Sequence, residues 1–217
     1  MSTEKPILFS GAMPAKVRDG TKTQTRRVLK PQPHPDFLKR GVVAIVPQWP
    51  WQDGIRWFMA DGLSELVKSP YGRPGDHLWV KEVCWIWGQW ARDGKTATGR
   101  DKWRFHAVGQ RVRFDKPERT AKRGGCAGWV YRHARFMPRW ACRTILEVTD
   151  VRVERVRDTT EEDAKAEGID DLWLVQHQVG PPRKREFWYL WDSLNGPRGF
   201  GWDVNPWVWV ISFKRVA

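Results

Sequence analysis

The sequence predicts an α+β, barrel-like fold of many short strands and two or three short helices, and three observations predict it. Apolar residues alternate over short runs, turn-rich Pro, Gly and Asp clusters separate those runs, and strands and helices do not alternate as a doubly wound sheet requires. No internal repeat is visible. A chain of 217 residues fits one elaborated domain, 1–217. Its 41% hydrophobic content excludes wholesale disorder, and sixteen tryptophans supply flat faces on which planar ligands can stack. The formal net charge of +13 favours an anionic partner such as nucleic acid or nucleotide phosphate.

Taken in order, Pro6 to Phe9 reads as a first strand, and Met13 to Asp19 as a helix with Pro14 in its first turn and Gly20 closing it. Thr21 to Val28 alternates as a strand permits, with Thr23 and Thr25 on one face and Lys22, Gln24 and Arg26 on the other. Pro31, Pro33 and Pro35 punctuate a loop. Val42 to Val46 and Ile55 to Met59 then read as a hairpin around the turn from Pro47 to Gly54. The turn Tyr71 to Asp76 leads into a strand, Leu78 to Trp85, whose apolar face carries Glu82; an ion pair with one of the many arginines explains Glu82 more readily than catalysis does.

From Trp87 to Arg139 the hydrophobic periodicity is weakest and basic residues are densest. Between Arg111 and Arg143 ten Lys and Arg face only Asp115 and Glu118, with Trp129, Tyr131 and Trp140 among them, which is the composition of a nucleic-acid surface or of a basic loop. Cys142 to Val148 and Val151 to Glu154 alternate as strands. Thr159 and Glu162 form a capping box that opens a helix, with Gly168 as its stop. Glu167 then falls in the last helical turn, where the macrodipole disfavours a carboxylate. Glu186 to Leu194 reads as a second helix and Trp207 to Phe213 as a buried strand.

The segment from Asp19 to Arg27 concentrates a lysine, three hydroxyls and two arginines. Lys22 can serve as a base if neighbouring cations lower its pKa, and Thr23 or Thr25 can then supply a nucleophile; the plain alternative is a polar turn. If Lys22 and Thr25 cooperate, Lys22 sits in the turn before the strand, which Gly20 allows, or a bulge rotates it, since within a regular strand the two point to opposite sides. Cys84, Cys126 and Cys142 are widely spaced and the five histidines show no ligand spacing, so neither a disulfide framework nor a metal site is expected. No run approaches a membrane span, and a cytoplasmic location is expected.

Three pieces stand together in order: Gly20-Thr21-Lys22-Thr23-Gln24-Thr25-Arg26, then Arg73-Pro74-Gly75-Asp76-His77-Leu78-Trp79-Val80, then the run from Thr160 through Glu167, Gly168 and Ile169. They resemble the ASCH superfamily, whose β-barrel is related to PUA RNA-binding domains, and more closely its longer phage- and prophage-encoded branch. The resemblance covers roughly residues 5–30, 70–85 and 140–215, leaving 31–69 and 86–139 as insertions of hairpins and loops. Some small members are amidohydrolases that remove the acyl group from N4-acetylcytidine and related N4-acylcytidines. Position by position, the resemblance implies catalytic roles for Lys22, Thr25 and Glu167; Arg26, Thr23 and Glu82 are the substrate-binding candidates, and no cofactor or metal is expected. Other members are thought to bind RNA or act as ribonucleases, which is the alternative function. The implied partners are a nucleoside or modified cytidine and RNA along 111–143.

Overall fold

Pro14 just inside and Gly20 just past a short run set the limits of helix α1, Met13–Arg18, and Gly20 takes the positive φ of +82° that such a stop requires. The computed structural model describes residues 2–32, 45–47, 54–59, 62–63, 67–169 and 182–217. The loop at Pro33 and Pro35, the strand start at Val42 and the turn at 48–53 lie outside these residues. The chain divides into two compact units, one of residues 1–5, 11–78 and 145–217, the other of 6–10 and 79–144.

In the first unit, strand β2 (Gln24–Val28) is three residues shorter at its start than the alternation from Thr21 suggests, because Lys22 and Thr23 are taken up by other contacts. β11 (Ile145–Arg155) and β12 (Trp207–Arg215) pair antiparallel, and β12 pairs β2 antiparallel, with Ile211 opposite Thr25 and Val210 opposite Arg26. With β1 (Glu4–Leu8) and β7 (His77–Lys81), of which residues 4–5 and 77–78 belong to the first unit, the sheet order is β1-β7-β11-β12-β2. Strands β3 (Ile45–Pro47), β5 (Gly62–Leu63) and β6 (Val67–Lys68) pair with β4 (Gly54–Met59) in a second small sheet.

Helices α2 (Glu161–Ala166) and α3 (Pro182–Asn195) follow the expected pattern with one correction. The capping box is Thr160 with Asp163, one residue on from Thr159 and Glu162: Asp163 N donates to Thr160 Oγ1 and Thr160 N to Asp163 Oδ2, each at 3.1 Å. Thr159 is instead buried and donates its hydroxyl to Val156 O at 2.6 Å. Both Thr-Thr and Glu-Glu-Asp offer the cap chemistry, and the buried environment of Thr159 decides between the two registers. The core is built from Val156, Ala164, Phe187, Trp191, Trp202, Val208 and Val210, so the helices cover the β12 face that carries Val208 and Val210.

In the second unit β8 (Cys84–Lys95) and β9 (Asp101–Arg113) form a long hairpin, and β10 (Gly128–Arg132) completes a sheet ordered β10-β8-β9. Its core cluster gathers Cys84, Ile86, Met137 and Ala141. The fold is thus α+β, mostly strands with few short helices, as expected. It is not a barrel. Closure requires the two end strands of a sheet to pair, and among the described residues β1 and β2 end the five-stranded order without meeting.

Candidate functional site

Helix α2 ends at Glu167, and its last carbonyls need partners that the helix itself cannot supply. The segment before β2 supplies them. Thr23 N donates to Ala166 O at 2.9 Å, Lys22 Nζ to Glu167 O at 2.8 Å, and Lys16 Nζ to Gly168 O at 2.6 Å. Lys22 N in turn donates to Lys16 O at 2.9 Å, so Lys22 sits in the turn between α1 and β2, outside the regular strand. Gly168, with φ +84°, makes room: a Cβ there would lie 3.1 Å from Lys22 Cβ.

Lys22 Nζ also donates to Glu167 Oε2 at 2.5 Å, and both side chains are almost wholly buried, at 4% and 6% exposure. Arg26, two residues into β2's alternation beyond Gln24, reaches the same carboxylate: its Nη1 lies 3.5 Å from Glu167 Oε1. The rest of its guanidinium is fixed. Nε donates to Glu154 Oε1 at 3.1 Å, and Nη2 bonds Glu154 and lies 2.9 Å from Asp163 Oδ2. Gln24 Nε2 and Arg152 Nη2 donate to Asp163 Oδ1 at 2.9 and 3.0 Å, and Arg152 Nε to Glu154 Oε2 at 3.2 Å. Arg26 Nη1 and Glu167 Oε1 are buried with no hydrogen-bond partner among the described residues, although they face each other. Their separation permits attraction without a well-aligned hydrogen bond.

Three cations (Lys22, Arg26, Arg152) thus meet three carboxylates (Glu154, Asp163, Glu167) on one face of β2 and β11. Desolvation is the largest influence on Lys22 and lowers its pKa below the ordinary lysine value. Glu167 pulls the other way by charge and hydrogen bond, while Arg27 and Arg26 add to the lowering. Burial raises the Asp163 carboxyl, but hydrogen bonds from Gln24 and the Thr160 backbone, with Arg26 and Arg152 nearby, more than offset it and bring the pKa to about 2. A buried lysine whose pKa is lowered, beside a carboxylate, can exchange a proton with a bound group.

The structure therefore brings Lys22, Arg26 and Glu167 together. Thr25 is buried on β2 opposite Ile211, and strand alternation sends its side chain to the face away from Gln24 and Arg26. Thr23 is exposed, its backbone shared between Ala166 O and Phe213 N. Glu82 belongs to the second unit, where Arg143 holds it in a two-pronged ion pair at 3.2 and 2.8 Å, the structural role expected for it. Sequence reasoning missed Glu154, Asp163 and Arg152. For Arg152 and Glu154 the signal was the alternation of β11, which puts both on one face opposite Val151 and Val153; Asp163 is on α2.

Among the described residues no group of three or more His, Cys, Asp or Glu side chains converges as a metal site, and no helix is long and apolar enough to cross a membrane. No protein-family model and no curated protein matches the chain. A solved structure of an ASCH domain from Lactobacillus crispatus JV V101 aligns with a TM-score of 0.38 and 10% sequence identity, over 98% of this chain and 79% of that one.

Proposed function

We propose that the chain is an amidohydrolase that removes the acyl group from N4-acetylcytidine and related N4-acylcytidines. One observation carries the reading: Lys22, buried and with a lowered pKa, donates to Glu167 at 2.5 Å in the motif context the ASCH resemblance assigns to catalysis. In this reading the Thr25 hydroxyl attacks the acyl carbonyl and neutral Lys22 takes its proton. Arg26, fixed by Glu154 and Asp163 on the other face of β2, holds Glu167 by charge and, alongside burial, helps to lower the Lys22 pKa. Lys22 returns the proton to N4 as cytidine leaves, with Glu167 orienting the ammonium. Water then hydrolyses the acyl ester on Thr25, releasing the carboxylic acid and restoring the hydroxyl.

Thr25 lies on the Ile211 side of β2, so its part in the reaction is tested separately from that of Lys22. Incubation of chelator-treated protein with N4-acetylcytidine should release cytidine and acetate. Turnover should fall by at least about a hundredfold in Lys22→Ala. If Thr25→Ala retains turnover while Lys22→Ala loses it, the nucleophile is a water activated by the Lys22–Glu167 pair. Absence of turnover by the unaltered protein ends the amidohydrolase reading.

A further inference from the structure

The second unit carries a sheet face that the proposed chemistry does not use. β10 pairs β8 with Trp129 opposite Trp87 and Tyr131 opposite Trp85, so these four rings share one face. The other face, carrying Cys84, Ile86 and Val130, is buried in the core. The rings meet edge to face, Trp87 with Trp129 at 5.4 Å and Trp85 with Tyr131 at 5.3 Å, and Tyr131 continues to His133 at 5.0 Å. Tyr131 is 42% exposed.

Cations lie against and beyond this row. The Arg111 guanidinium is 4.5 Å from the Trp87 ring centre and 5.7 Å from that of Trp129, and Arg113 is 5.6 Å from Trp129. A cleft of about 770 Å³ opens beside them, walled by Trp87, Trp129 and Arg113 and by Lys116, Arg119 and Lys122. Glu118 is the acidic residue on its wall, and Asp115 holds Arg113. The face is thus strongly positive beside a row of half-buried rings that ends on the exposed Tyr131. Paired strands of a duplex hide their base faces, whereas an unpaired strand offers both base faces and phosphates, and it fits this combination.

We infer that the Trp87–Trp129 face and its basic cleft bind single-stranded RNA, with bases stacking on the aromatic row and phosphates against Lys116, Arg119 and Lys122. The choice of RNA over DNA rests on the cytidine reading above; the surface chemistry does not. Fluorescence anisotropy of labelled oligouridylate of about a dozen nucleotides, matching the site sizes of such grooves, tests it. This probe has no N4-acyl group, so failure to bind and failure to hydrolyse are separate results. Binding should weaken with salt at a log–log slope of roughly −2 to −3, the value for three or four phosphate contacts. The double variant Lys116→Glu, Lys122→Glu should weaken it by about tenfold or more and flatten that slope. Trp129→Ala, checked for folding by circular dichroism, should weaken it by about tenfold without changing the slope. Binding of an RNA duplex as tight as that of oligouridylate would remove stacking from the account. Oligothymidylate bound more tightly than oligouridylate would overturn the RNA assignment. No binding, or binding indifferent to the Lys116 and Lys122 changes, would overturn the site.

Discussion

The two units place charge in opposite ways. In the first, Lys22, Arg26, Arg152, Glu154, Asp163 and Glu167 balance one another, and the Arg26 side chain has no exposure at all. In the second, cations on the β8–β9–β10 sheet outnumber acids and mostly stand in solvent against aromatic rings. Buried charges are costly to desolvate and hold only in a fixed, mutually satisfied arrangement. Exposed cations cost little and remain available to an outside anion. The first arrangement suits chemistry that shifts protons; the second suits recognition.

Removing one member of the buried set should show this contrast most strongly. Glu167→Ala leaves Lys22 and Arg26 without their shared carboxylate, and chemical denaturation should report a loss of about 3–5 kcal/mol. By comparison, Asp93→Ala in the second unit breaks the exposed Arg104 and Lys102 pairs and should cost no more than about 1 kcal/mol. Equal costs would erase the distinction between the units.

Next in size is Gly168→Ala. It imposes a side chain at φ +84° and crowds Lys22 Cβ, so it should lower stability by about 1 kcal/mol or more and lower turnover with it. Thr160→Ala removes the N-cap of α2 and should cost about 1 kcal/mol in thermal or chemical unfolding. Turnover should fall less than in Gly168→Ala, since Thr160 lies at the far end of the helix from Glu167.

The pH dependence of stability has two expected limbs. The Asp163 pKa of about 2 lies below the ordinary aspartate value of 3.8, so its contribution is present above about 3.8 and is lost as pH falls through about 2. Lys22 acts in the same direction at the alkaline end: its folded pKa is lowered, so the unfolded chain binds more protons between that value and 10.5, and stability rises with pH across that window. Unfolding midpoints of the protein and of Lys22→Met, compared across alkaline pH, should differ in slope. Parallel curves would mean that Lys22 titrates as an ordinary lysine.

Much of the local structure around the site was legible in the sequence. Pro14 and Gly20 bracketed α1, Gly168 marked the end of α2, and a Lys22 ahead of the strand was one of the two arrangements that joint action with Thr25 allowed. The network around Arg26 was not, because its partners come from β11 and α2, more than a hundred residues away, and no local pattern pairs Arg26 with Glu154 or Asp163. The β8–β9 hairpin was missed for a different reason. Its solvent face carries tryptophan and arginine together, so polar and apolar residues do not alternate even though burial does. Barrel closure, in turn, depends on pairing between strands remote in sequence, which residue patterns do not report.

The central claim is that Lys22 acts as a base, and the pH–rate profile of N4-acetylcytidine hydrolysis tests it most directly. Turnover by the unaltered protein should rise with pH as an amine with a pKa below the ordinary 10.5 loses its proton, and that rise should vanish in Lys22→Ala along with most of the rate. A profile of unchanged shape and height in Lys22→Ala would contradict the account.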